Sequence, residues 1–200
     1  MDKQIIITIG REYGSGGHEI ARKIAERLNL NLYDRNMLDE IAQELHVDAE
    51  EFKKFDEKPR HKLFSRTVKG HSNSMEDHMA HIQFEHIEKK AAEGESFVVV
   101  GRCAEHVFKE HGSLISIFVL GDKETKMLRI MEKRGMEEKE ALHAMERHDG
   151  TRKAYHNSHA LSKWGDSRTY DLCINSSRLG IDGTVDALLD YIEKRIEKMD

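Results

Sequence analysis

Ile5-Ile6-Ile7-Thr8-Ile9-Gly10-Arg11-Glu12-Tyr13-Gly14-Ser15-Gly16-Gly17-His18 is the stretch on which the fold of this chain turns. The run Ile5 to Ile9 is short, β-branched and uninterrupted, which suits a central strand buried on both faces. A glycine-dense turn follows directly. Beyond it Ile20, Ala21, Ile24, Ala25 and Leu28 recur at helical spacing, with charged residues between them. Strand, glycine loop and helix in that order make a cradle for phosphate. Glycines let backbone N–H groups crowd round an anion, and the helix N-terminus adds partial positive charge. A glycine-rich βα turn with no ligand is the plainer alternative.

Set against the phosphate-loop template Gly-x-x-x-x-Gly-Lys-[Ser/Thr], the match is incomplete. With Gly16 in the second glycine slot, Gly17 stands where lysine belongs and His18 where Ser/Thr belongs. Arg11 then falls on the first glycine slot, with Gly10 one residue early. The phosphate-reaching cation and the magnesium-holding hydroxyl are missing from their usual places. Arg11, or an arginine from elsewhere, is the candidate cation, and Ser15 the candidate hydroxyl.

The 200 residues fit one domain with room for a substantial core. Hydrophobic residues make up 38% and charged ones 34%, and no apolar run approaches the roughly 20 residues that cross a bilayer. Met1-Asp2-Lys3-Gln4 does not read as a signal peptide. Cys103 and Cys173 are the only cysteines and lie far apart, so a reduced cytoplasm is the expected setting. A net charge of −5 argues against general nucleic-acid binding.

Outward from the loop, Asn31-Leu32-Tyr33-Asp34-Arg35 reads as a brief second strand. Its closing charged pair sits where ligands bind in an open α/β sheet; an Asp34 N-cap for the next helix is the alternative. Residues 46–93 read as an acceptor-binding arm or helical insert. Lys53, Lys54, Lys58, Arg60, Lys62, Arg66 and Lys69 there face only Asp56 and Glu57. That stretch suits a mobile arm over a phosphate-bearing substrate, or a plain surface loop. His78, His81, His86, His156 and His159, among thirteen scattered histidines with no HExxH or paired CxxC, read as solvated surface side chains. Phe97-Val98-Val99-Val100 is a second apolar strand. It runs into Gly101-Arg102-Cys103-Ala104, where Cys103 reads as packing. Leu114 to Leu120 is a third strong strand, followed by a helix from Glu124 to Lys133 and another from Glu137 to Arg147. Residues 134–168 read as a lid region. Within it Arg147, Asp149 and Arg152 suit closure over phosphates, for which bidentate arginine is the apt side chain. Tyr170 to Asn175 is a last strand, and Val185, Leu188, Leu189, Ile192 and Ile196 mark a C-terminal helix.

Strands alternate with helices throughout, which predicts an α/β fold: a five-stranded, mainly parallel sheet with helices on both faces. Several segments together resemble one family. Arg-Glu-Tyr-Gly-Ser-Gly-Gly at 11–17, Tyr-Asp-Arg at 33–35, Val-Gly-Arg-Cys-Ala at 100–104, Arg147-x-Asp149-x-x-Arg152-x-x-Tyr155, Trp164-Gly165 and Tyr170-Asp171-Leu172 are similar to the cytidylate kinase-like family. That family is a branch of the P-loop nucleoside monophosphate kinases. The resemblance covers nearly the whole chain and is weakest over 46–74.

The resemblance implies transfer of the ATP γ-phosphoryl group to CMP or dCMP, with ATP and Mg²⁺ as cofactors. By motif position Gly14, Ser15, Gly16, Gly17 and His18 would meet the ATP phosphates. Asp34, Arg35, Arg102 and Asp149 would lie near the acceptor, and Arg11, Arg129, Arg147 and Arg152 would neutralise transferred charge. It assigns no magnesium ligands. The partners implied are small-molecule nucleotides, with no nucleic acid and no membrane. Two departures stand out: Gly17 replaces the loop lysine, and Cys103 replaces the Asp of a Gly-Arg-Asp segment. The retained arginines favour a phosphotransferase, on CMP or another small phosphorylated acceptor. The lost lysine favours a nucleotide-sensing or partner-binding protein on a kinase fold.

Overall fold

The computed structural model describes residues 3–46, 50, 67–68, 71–72 and 75–199. The basic residues at 53, 54, 58, 60, 62, 66 and 69 lie outside them, as does most of the expected arm before residue 75.

Strand β1 (Ile6–Arg11) is the middle of a five-stranded sheet that also contains β2 (Asn31–Tyr33), β5 (Phe97–Val100), β6 (Leu114–Leu120) and β7 (Leu172–Asn175). The order is β2-β5-β1-β6-β7, and every pairing in it is parallel. A separate two-residue antiparallel pair joins β3 (Thr67–Val68) to β4 (His71–Ser72). The period-two alternation of β1 sends its side chains to two cores. Ile5, Ile7 and Ile9 pack with α1 (Gly17–Leu28) and the C-terminal α7 (Gly180–Glu197). Ile6 packs on the other face with α2 (Met37–Leu45), α3 (Met75–Ala92) and the single-turn α4 (Ala104–Val107). Helices therefore cover both faces, as the alternation of elements predicts. Among the described residues no helix is long and apolar enough to cross a membrane.

Beyond β6, α5 (Lys123–Arg134) and α6 (Glu138–His159) form a helical hairpin around Ile130, Ala141 and Met145. The helix expected to stop at Arg147 instead runs on to His159. Its inward stripe continues at helical spacing from Ala141, Ala144 and Met145 through His148, Asp149 and Arg152 to Tyr155 and His156. The middle of that stripe faces the glycine loop rather than a core, so polar residues occupy it. Gly150 inside the helix costs about 1 kcal/mol, too little to break it.

The histidines also differ from expectation. His86 and His156 are buried, and the His159 side chain is nearly so. Each has a carboxylate on another element: Glu40 and Glu44 for His86, Glu105 for His156, Asp77 for His159. For His156 the partner is a hydrogen bond of 2.6 Å from a neighbouring helix, which makes burial tolerable.

Candidate active site

The chain leaves β1 for β2 and β5 on one side, then returns past it to β6 and β7 on the other. The carboxyl end of β1 is thus the switch point of the sheet, where an open α/β fold forms its binding crevice. The glycine loop lies at that point. Gly14 and Gly16 have φ of +83° and +81°, a region that side chains disfavour. The loop is held by its carbonyls. Arg129 Nη1 donates to the Gly14 oxygen at 2.6 Å, and Ser176 Oγ donates to the Ser15 oxygen at 2.5 Å. With the carbonyls tied down, the N–H groups of Gly14 and Gly16 take part in no hydrogen bond among the described residues. That is the condition an anion cradle requires. Ser15 is fully buried, and its hydroxyl donates to the Glu12 carbonyl at 2.8 Å while accepting from the Gly17 N–H. It shapes the loop from inside.

Above the loop lies a cavity of about 310 Å³, whose walls include Arg11, Gly14, Gly16, Gly17, His18, Arg129, Lys133 and Arg152. A narrower crevice adjoins it between the ends of β1 and β5, lined by Gly10, Arg11, Arg102, Arg152, Tyr155, Trp164 and Tyr170 among others. Arg11 and Arg152 line both. Arg102 is buried and enters the crevice from a strained turn: Gly101, Arg102 and Cys103 carry successive φ values of +75°, +60° and +50°. Left-handed backbone costs a non-glycine residue roughly 1–2 kcal/mol, and such strain gathers at functional sites. Cys103 packs against Ala80 and Tyr155.

Two further groups support the loop. Lys126 on α5 is buried, with Nζ 2.8 Å from Glu12 Oε2 and 4.0 Å from Asp149 Oδ2. Glu12 Oε2 also accepts the Gly121 N–H, and Asp149 Oδ1 accepts the Tyr13 N–H at 2.7 Å. Asp149 therefore fastens α6 to the loop while standing 3.6 Å from the Arg152 guanidinium. Burial raises its pKa, with the Tyr13 N–H and Lys126 opposing. His148 stacks on the Tyr13 ring at 4.2 Å. At the edge of the glycine-loop cavity His18 Nε2 lies 2.6 Å from Asp34 Oδ2. That hydrogen bond lowers the Asp34 pKa against the opposing effect of burial. Asp34 caps nothing by itself: it accepts the Asn36 N–H, and Asn36 precedes α2.

Of the residues singled out from sequence, Arg11, Gly14, Gly16, Gly17, His18, Arg129 and Arg152 share one cavity, and Arg102 faces the crevice beside it. Arg35 and Arg147 are exposed and line neither, and Asp149 lies beneath the loop. Sequence reasoning missed Lys126, Ser176 and the buried pair of Glu105 with His156, whose Oε1 and Nε2 are 2.6 Å apart. Periodicity gives no sign of partners 114, 161 or 51 residues away.

The residues present fit nucleotide phosphates: free loop N–H groups, a helix N-terminus and convergent guanidinium groups. Among the described residues no cluster of three His, Cys, Asp or Glu forms a protein metal cage. A magnesium ion that arrives on nucleotide phosphates needs few protein ligands.

The chain is similar over 98% of its length to a curated cytidylate kinase from Methanopyrus kandleri, at 26% identity and covering 97% of that protein. A solved structure of an uncharacterized protein from Eubacterium ventriosum is 43% identical and superposes with a TM-score of 0.76, covering 95% of this chain and 99% of that one. Shikimate kinase from Bacteroides thetaiotaomicron shares the fold at 14% identity, with a TM-score of 0.55 and coverage of 94% and 98%. The sequence pattern of the cytidylate kinase-like family matches residues 6–178. The chain belongs to the cytidylate kinase-like family of phosphotransferases.

Proposed function

We propose that this phosphotransferase moves the γ-phosphoryl group of ATP to a nucleoside monophosphate, with CMP or dCMP as the acceptor. The observation that carries the proposal is the pair Arg11 and Arg152, which border both the glycine-loop cavity and the Arg102 crevice. In this reading ATP phosphates lie over the N–H groups of Gly14 and Gly16, and the acceptor phosphate meets Arg102. An acceptor phosphate oxygen attacks the γ-phosphorus, the bond from that phosphorus to the β-bridging oxygen breaks, and ADP leaves with the electron pair. An ionised phosphate needs no general base, so positioning and charge neutralisation carry the catalysis. Arg11 and Arg152 stand where the transferred group would pass and would hold its equatorial oxygens. Arg129, through the Gly14 carbonyl, keeps the loop in shape. Magnesium bound with ATP would supply further neutralisation of phosphate charge. Asp34 would meet the acceptor nucleotide, and the family relationship supports cytosine as its base.

The test is ADP release from ATP and Mg²⁺ with CMP, dCMP, UMP, AMP and GMP in turn, with Arg152→Ala alongside. Turnover strongest with CMP or dCMP, and reduced about 100-fold or more in the variant, is the expected result. Turnover with a different acceptor would replace cytidine in the proposal. Silence across the panel, with ATP still bound, would overturn the nucleoside monophosphate as acceptor.

A further inference from the structure

Two departures of the loop from its template, Arg11 in the first glycine slot and Gly17 in the lysine slot, are in direct contact. A Cβ built on Gly17 would lie 2.5 Å from Arg11 Cβ, 3.2 Å from Arg11 Cγ and 3.3 Å from Val119 Cβ. No real Cβ tolerates the first of these distances. Arg11 cannot yield, because parallel pairing with Val119 fixes its backbone at the end of β1. A side chain at 17 and a side chain at 11 therefore exclude each other. The same contact means that the arginine stem starts out from the ground that a lysine at 17 would occupy. Arg11 also lines both the donor cavity and the acceptor crevice, so the cation stands at their boundary.

We propose that the phosphate-contacting cation of this loop has exchanged places with a glycine, so that Arg11 performs from the end of the strand what a lysine performs from the first residue of the helix. The exchange is reciprocal. Lysine at 17 requires a residue without a side chain at 11, and arginine at 11 requires glycine at 17. The longer arginine, with its planar fork, offers two parallel hydrogen bonds where lysine offers a point charge. The absent lysine is then no sign of lost nucleotide chemistry.

This inference rests on ATP binding at the glycine loop, and its test separates the two. ATP affinity would be measured by calorimetry, and thermal unfolding recorded, for the wild type, Arg11→Met, Arg11→Lys, Arg11→Gly, Gly17→Lys and the double variant Arg11→Gly/Gly17→Lys. Arg11→Met keeps the stem and removes the charge, so it should unfold near the wild-type temperature and bind ATP about tenfold more weakly or worse. Arg11→Lys should retain most of the affinity. Gly17→Lys alone should unfold at a lower temperature, because its Cβ meets Arg11. The double variant should regain both thermal stability over Gly17→Lys and ATP affinity over Arg11→Gly. Wild-type affinity in Arg11→Met, or a folded double variant that binds ATP no better than Arg11→Gly, would overturn the exchange. If the double variant does not fold, the contrast between Arg11→Met and Arg11→Lys decides the question. Wild-type protein that binds ATP without transferring phosphate would overturn the proposed reaction and leave the exchange to be decided by affinity; wild-type protein that binds no ATP would overturn both.

Discussion

Gly14 shows how one missing methyl group sets the loop. A Cβ there would lie 2.8 Å from the Lys126 carbonyl oxygen and 2.8 Å from Ile130 Cδ1, on a backbone with φ of +83°. The side chain of Ile130 can turn aside, but a helix carbonyl cannot. Gly135, with φ of +64° and nothing within 4 Å of its Cβ position, isolates the conformational part of the cost. Gly135→Ala should then destabilise by about 1 kcal/mol, the ordinary left-handed penalty. Gly14→Ala should destabilise by at least about 1 kcal/mol more, because α5 must move away from the loop, and the Arg129 bond to the Gly14 carbonyl should weaken with it. Urea unfolding of the two variants side by side checks the difference, and equal losses would show that the loop and α5 are less tightly joined than these contacts require. ATP binding should suffer in Gly14→Ala alone.

At the scale of elements, α6 is fastened at two places with different chemistry. Its C-terminal part is joined to α4 through His156 and Glu105, both buried, and its middle to the glycine loop through Asp149. Breaking a buried hydrogen-bonded pair from one side leaves a polar group without its partner, so the first joint is a fixed one. The second holds a carboxylate whose folded pKa lies above its unfolded value because burial penalises the ionised form. For an acid shifted in that direction, stability falls as pH rises from the unfolded pKa through the folded one, and the full cost is present above the folded pKa. Asp149→Asn keeps an oxygen for the Tyr13 N–H and removes that cost. The variant should be at least as stable as the wild type at pH 7, with the advantage gone by about pH 4. Its turnover should nonetheless drop about tenfold or more, because Arg152 loses the carboxylate 3.6 Å away that aims it. Thermal unfolding across pH, set beside kcat, tests both halves. A variant that is less stable at pH 7 than at pH 4, relative to the wild type, would contradict the sign.

Across the whole molecule, what could be read from sequence was whatever the sheet buries on both sides. Phe97–Val100 and Leu114–Leu120 fall on the residues that their apolar runs mark out, since both faces of those strands are covered. The strand β1 runs two residues further than its apolar run, because Gly10 and Arg11 pair with Phe118 and Val119 even though they belong to the site. Similarly, α6 was legible only as far as its stripe remained apolar. Lys126 and Ser176, which hold the loop, and the His156 pair, which holds α6, were not legible, because they act through partners distant in sequence. Polarity at the two ends of the sheet follows from the same division. Loop amides, Arg11, Arg102, Arg129 and Arg152 gather at the carboxyl ends of the strands, whereas Lys3, Ser113, Arg195 and Met199 border a separate cavity at the amino ends. Nucleotide binding should therefore change the exchange of locally opening amides at one end only. With ATP at about 100 times its Kd, sites that open locally should be protected over Tyr13 to Ile20 and around Asp149 to Arg152, where loop and helix are tied together. Amides that exchange only through global unfolding should instead slow everywhere, by the roughly 2.7 kcal/mol that such saturation adds to stability. Local protection appearing first around Ser113 and Arg195 would place the nucleotide at the wrong end of the sheet.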